Sequence, residues 1–200
     1  MAEIYTGSKG RPRSVAAEAA ILKAATELMD ELRPSYISAE SIAKRAGVSK
    51  ATLYKWWPTK THILLDAILL RAVAEIPLPD TGSTREDFIL LLRGFIHFHK
   101  STSFGVTVAH LFAEGMNDPT ILALYNERYA LPRRAQIRVI WERGVTRGDL
   151  RAEIDPELGL DMLYGPIVYR YLVNHAPLDE SFADHIVAVA FDGANHGTPG

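Results

Sequence analysis

Between Ser38 and Lys60 the chain places a lone glycine between two serines and closes the second segment with a proline. That punctuation leaves room for little except two short helices meeting at a tight corner. Ser38 is a good N-cap for a helix whose Ile42 and Ala46 lie one turn apart. Gly47 can supply the positive φ that a sharp helix exit needs. Ser49 caps the second helix, expected to end near Trp57 because Pro58 follows it. Ile42, Ala46, Val48, Leu53 and Trp57 can fill the inside of this corner against Leu28 and Leu32.

The same start and stop signals divide the rest of the chain. Ile21, Ala24, Ala25, Leu28, Met29 and Leu32 form one apolar helical stripe, which Arg33-Pro34 ends. Thr59 caps a helix running to about Ile76, and Pro77 to Gly82 follows as a hinge or linker. Ser83 with Glu86 opens a helix through about Lys100, and 104–116 forms another. Asp118-Pro119 and Asp155-Pro156 each set a capping Asp before a proline suited to a first helical turn. The first opens a long helix to about Gly144, kinked at Pro132; the second runs to about Asn174. A last helix starts at Pro177-Leu178-Asp179 and ends near Gly193. No strand-length alternation is present, so the expected fold is all-α, with about nine helices. The expected divisions are a flexible basic arm (1–13), a three-helix head (14–58), a connecting helix (59–76) and a C-terminal helical domain (77–200).

Composition removes several classes of function. The chain has no cysteine, which excludes disulfides and thiolate chemistry. The longest uncharged run lies between Lys100 and Glu114, is interrupted by His110, and is too short for a membrane span. The first thirteen residues have no apolar segment of the secretory kind, so a cytoplasmic location is expected. His97 and His99 sit two apart on a helix and the other histidines are scattered, so neither metal nor cofactor is expected. Gly47 to Ala51 lacks the second glycine and the strand of a nucleophile elbow, and no phosphate-cradling loop is present; the chain is not expected to be an enzyme. Net charge is −2, yet residues 1–60 hold ten Lys/Arg against six Asp/Glu. A polyanion would meet this basic head.

Lys50, Ala51, Tyr54 and Lys55 share the outer face of the second short helix. Two cations, a tyrosine and a small residue suit the major groove: Ala51 allows close approach, and Lys50 can reach bases or phosphate. Tyr54, Trp56 and Lys60 are placed for flanking phosphates, and helix N-termini at Ala39 and Thr59 add N–H donors. The run Gly47-Val48-Ser49-Lys50-Ala51-Thr52-Leu53-Tyr54, an aromatic pair, Pro58-Thr59-Lys60 and Ile63-Leu64-Leu65 resembles the DNA-binding domain of TetR-type transcriptional regulators. The resemblance covers residues 14 to about 70. It implies DNA contacts from Ala39, Ser49, Lys50, Ala51, Tyr54, Trp56 and Lys60, with Thr52 and Lys55 beside them. Trp56 departs from the His, Tyr or Arg more usual there. Lys9-Gly10-Arg11-Pro12-Arg13 resembles the basic arm of such proteins, through which Arg11 and Arg13 would follow the phosphates or minor groove.

The resemblance also implies a small-molecule effector among the middle helices, apolar or amphipathic, for which Phe95, His99, Phe104, His110, Met116, Tyr125 and Tyr129 are the expected lining. The last two helices are apolar nearly all round, which suggests burial on both sides and a subunit interface. Leu163, Ile167, Tyr171, Phe182, Ile186 and Val189 are expected to form it in a homodimer. The implied protein is a repressor on a near-palindromic operator. A DNA-binding protein of chromosome organisation without an effector, and a helical small-molecule binder with a vestigial head, are the alternatives.

Overall fold

The computed structural model describes residues 12–195, with side chains for 15–192. All regular structure among these residues is helical. The chain forms two compact units that divide between Ile68 and Leu69, inside a helix rather than at the Pro77–Gly82 run.

In the first unit, α1 (Pro12–Glu31) starts two residues before the expected head boundary at 14, since Pro12 suits a first helical turn. A 3-10 turn (Pro34–Tyr36) leads to α2 (Ala39–Ala46), α3 (Lys50–Tyr54) and the start of α4 (Lys60–Glu75). Ile21, Ala25, Leu28, Ile42, Leu53 and Trp57 are buried together as the core, and α1 packs on α2. Leu32 lies beyond the end of α1 and is exposed, so it does not join them. Ala46 and Val48 are half-buried. Trp57 is not on a helix: α3 stops at Tyr54, and the indole turns inward so that its Nε1 donates to Asp66 on α4 at 2.7 Å. Arg45 donates to both oxygens of Glu31, at 2.9 and 2.7 Å, tying α2 to α1 in a bidentate pair.

The second unit is built around α5 (Thr84–Ser101), which packs against α6 (Phe104–Gly115), α8 (Leu131–Arg147), α9 (Pro156–Val173) and α10 (Glu180–Asn195). Phe88, Leu91, Leu92 and Ile96 carry its inner face and are essentially inaccessible. Ser83 caps α5, Asp118 caps α7 (Pro119–Tyr125) and Asp155 caps α9, as their spacing requires. The expected long helix from Pro119 is not one kinked α-helix: a π turn over Asn126–Ala130 joins α7 to α8. Pro132 has no N–H for the carbonyl four residues before it, and the wider turn, closed by Leu131 N–H on the Asn126 carbonyl, absorbs the mismatch. With α7 and α8 counted as one rod, the described residues hold nine α-helices. Trp141 of α8 lies against Gly159 of α9 so closely that a Cβ there would meet the indole at 2.1 Å.

The Pro77–Gly82 run is not a free hinge. Asp87, fully buried on α5, accepts the Thr81 N–H at 2.7 Å, and Arg143 reaches Asp80 at 2.8 Å. Arg147 bonds Asp87 at 3.3 Å and completes the tie. No helix among the described residues is long and apolar enough to cross a membrane.

Candidate nucleic-acid interface and ligand cavity

The corner between α2 and α3 is set by Gly47, at φ 67° and ψ 29°. The Val48 N–H reaches back to the Ala43 carbonyl at 3.0 Å, closing the helix exit. Ser38 and Ser41 cap α2 reciprocally, at 3.0 Å each way, which leaves the N–H groups of Ala39 and Glu40 without an acceptor among the described residues. On α3, Ser49 accepts the Thr52 N–H at 3.1 Å. Leu53 is wholly buried while Lys50, Ala51, Tyr54 and Lys55 stand exposed, so the four do share one open face.

Two expected contacts are occupied in this state. Thr52 Oγ1 lies 2.9 Å from Ser49 Oγ inside the cap. The Lys60 ammonium donates to the carbonyls of Pro34 and Ile37, at 3.2 and 2.9 Å, holding the 3-10 turn. These use two of the three ammonium N–H groups, so a phosphate would find one left unless the turn released more. Trp56 is half-buried, edge-on to Trp57 with ring centres 5.8 Å apart. Lys9 and Arg11 lie outside the described residues, as does the side chain of Arg13, whose backbone belongs to α1.

Sequence reasoning missed Glu40 and Lys44. The Glu40 carboxylate accepts from Lys50 at 2.8 Å. This bond holds the Glu40 carboxyl below its ordinary value and pushes the Lys50 ammonium up. Lys44, one turn along α2, lies near enough to add to the effect on Glu40 and is itself exposed. If Lys50 contacts DNA, Glu40 would compete for it. Glu40→Gln should tighten binding to duplex DNA several-fold and steepen the salt dependence by about one counterion. Fluorescence anisotropy across a salt series measures both; unchanged affinity would mean that Lys50 stays off the DNA.

The second unit carries a half-open cavity of about 490 Å³. Of the expected lining, Phe95, Tyr125 and Tyr129 border it. His99 and Phe104 do not: both are buried behind Phe95, their rings 4.4 Å apart. His110 faces Glu114 at 3.3 Å, one turn along α6, and does not border the cavity. Met116 follows the last residue of α6 and is 83% exposed, so it lines nothing. The residues that sequence reasoning missed are Tyr164, Arg133 and Arg134. Arg133, only 6% exposed, donates to the Ile76 carbonyl at 2.5 Å and to Gln136 at 3.0 Å. Arg134 pairs with Glu157 at 2.7 Å and Asp161 at 2.9 Å. Burial pushes the Tyr125 phenol up to about 12 and the Tyr129 phenol well above its ordinary value, so both stay neutral donors.

The expected subunit face also needs correction. Leu163, Ile167 and Ile186 are buried within the protomer, because α9 and α10 turn them toward α5 and each other. Tyr171 is half-buried, its ring 5.3 Å from His99, and Phe182 lies under the Arg170 guanidinium at 3.5 Å. Val189 is 74% exposed. The open side of α9 carries Leu158, Met162, Gly165, Tyr169 and Leu172 instead, at spacings of four, three, four and three.

Residues 21–67 match the family described as "Bacterial regulatory proteins, tetR family". Residues 78–190 match "Tetracyclin repressor-like, C-terminal domain". The HTH-type transcriptional regulator YdeS of Bacillus subtilis (strain 168) is 36% identical over 92% of this chain and 93% of its own. The HTH-type transcriptional regulator AqdR of Rhodococcus erythropolis is 26% identical over 85% of this chain and 81% of its own. The crystal structure of the TetR family transcription regulator SCO0332 superposes with a TM-score of 0.83 at 30% identity, covering 88% of this chain and 97% of that one.

Proposed function

The chain belongs to the TetR family of DNA-binding transcriptional regulators, and we propose that it acts in the cytoplasm as a homodimeric repressor released from its operator by a small molecule. The observation that carries the reading is the open Lys50–Ala51–Tyr54–Lys55 face of α3, anchored from behind by buried Leu53. Two such faces related by a twofold axis would enter successive major grooves about 34–36 Å apart on a near-palindromic site.

The exposed stripe on α9 supports the dimer. Its alternating four-and-three spacing is that of a helix–helix seam, and the open space around Gly165 allows a partner helix to come close. The cavity supports the effector and argues against a protein that merely organises DNA. Ile76, which follows the last residue of α4, borders the cavity and is tied by its carbonyl to Arg133. Because α4 runs unbroken from Lys60 in the head, a ligand that disturbs its far end would bias the spacing of two heads and so their joint fit to DNA.

Selecting duplexes from a random pool and sedimenting the complex tests this. The expected result is a symmetric site occupied by two chains. Carrying both Met162→Glu and Val189→Glu, the protein should remain folded, since both positions are exposed, yet sediment as a monomer and lose the selected site. A folded variant that still sediments as a dimer would place the interface elsewhere. A selected site that one chain fills would remove the twofold reading altogether.

A further inference from the structure

Resting on the effector reading above, we propose that the cavity takes an organic anion, a carboxylate with an aromatic body, whose acid group is held by Arg133. Arg133 is a buried cation with no carboxylate within 4 Å among the described residues. Its two acceptors, the Ile76 carbonyl and the Gln136 amide oxygen, are neutral and use two of the five N–H groups that a guanidinium carries. Buried arginines are ordinarily paired, because an uncompensated charge in a low-dielectric site is costly. The cavity does hold two carboxylates, Glu157 and Asp161, yet both are spent on Arg134 and are far more exposed than Arg133. The exposed side of the cavity thus sets two carboxylates against one guanidinium, while the guanidinium on its buried side has no acid in contact with it.

The remaining wall fixes the body of the ligand. Phe95 meets Tyr164 edge-on at 4.8 Å, and Tyr125 lies 5.5 Å from Tyr129. Ile76, Ile137 and Val168 complete an apolar surface. One edge-to-face pair and one tilted pair give this wall enough ring surface to suit a flat aromatic body. The phenol hydroxyls of Tyr125, Tyr129 and Tyr164 find no hydrogen-bond partner among the described residues, and as neutral donors they suit the second oxygen of a carboxylate. A cationic ligand would meet Arg133 unfavourably, and a neutral one would leave it without an acid in contact. The same guanidinium holds the Ile76 carbonyl, so an acid that draws it away loosens the far end of α4.

Calorimetric titration of the intact protein with 2-naphthoate and 4-phenylbutyrate, each against its own primary amide, tests the class. At least one acid should bind tenfold or more tightly than its amide. Arg133→Gln should bring that acid down to the level of the amide without moving the amide, while Arg133→Lys keeps part of the difference. The acid–amide comparison on the parent protein stands even if the Gln variant misfolds. An amide as tight as its acid, no binding of either acid, or an Arg133→Gln variant that is folded and keeps the difference would overturn the proposal. Operator affinity is measured separately. An acid that binds through Arg133 and leaves that affinity unchanged would sink the effector reading and leave the anion site standing.

Discussion

Ala51→Glu should lower affinity for the operator by about 100-fold or more, while the thermal midpoint stays within about 2 °C of the parent. The two halves of this expectation come from opposite sides of one five-residue helix. Leu53 is buried and holds α3 to the head; Ala51 is exposed and carries only a methyl group toward solvent. Glutamate at that position adds bulk where the backbone must come close, and a negative charge beside the phosphates. It also sits one turn from Lys55, which it can pair with and withdraw from DNA. A lost groove contact costs about 1–3 kcal/mol, and charge repulsion adds to it, which together reaches the ~2.7 kcal/mol of a 100-fold change. Stability should hardly move, because glutamate is nearly as good a helix former as alanine and the site is open. Anisotropy titration of the selected duplex with calorimetric melting reads both. Operator binding within threefold of the parent would mean that α3 is not the element in the groove.

The head was legible because its signals are local. Ser38, Gly47 and Ser49 specify caps and a turn within a few residues of themselves, and the structure places all three as caps. The open face of α3 follows once Leu53 is known to point inward. What could not be read are links between residues far apart in the chain. Nothing in the sequence pairs Glu40 with Lys50, or sends Lys60 to carbonyls more than twenty residues earlier. Trp57 shows the same limit: Pro58 suggests a helix reaching Trp57, whereas α3 ends at Tyr54 and the Trp57 indole bonds to Asp66 on α4.

In the second unit the helices were legible and their faces were not. The capping residues Ser83, Asp118 and Asp155 give the starts of α5, α7 and α9. Periodicity then fails on α9, since a helix apolar all round has no preferred side; Leu163 and Ile167 turn inward while Leu158 and Met162 stay open. The cavity was half legible for a related reason. Aromatic residues suggest a ligand wall, which found Phe95, Tyr125 and Tyr129, but an arginine pair on a helix is ordinarily solvated. Arg133 is buried because α8 leaves the π turn in a register that carries it under Ile76, and that register is set by a proline whose effect had been expected to be a simple kink.

Acidification from pH 7 to pH 4 should remove roughly 3 kcal/mol of stability through His99 alone. Its ring is enclosed by Phe95, Phe104 and Tyr171, at 4.1, 4.4 and 5.3 Å. Nδ1 lies 2.9 Å from the Phe95 carbonyl, which can only accept, so the single proton of the neutral imidazole sits on Nδ1. Burial lowers the pKa from 6.5 to about 4, and the bond to Phe95 opposes this only in part. The unfolded chain therefore takes up a proton near pH 6.5, whereas the folded chain resists it until about pH 4. Stability is full above the higher value and falls as pH drops through the window, by at most ~1.4 kcal/mol per unit. The carboxylates held low by partners, such as Glu40 and Asp149, lose their contribution below their ordinary values of 4.5 and 3.8, so the upper part of the window belongs to the histidine. His99→Phe keeps a ring among rings and should flatten urea midpoints between pH 6.5 and pH 5, whatever it does to their absolute level. Parallel slopes in parent and variant would show that His99 titrates freely. The aromatic wall behind Phe95 would then be open to water.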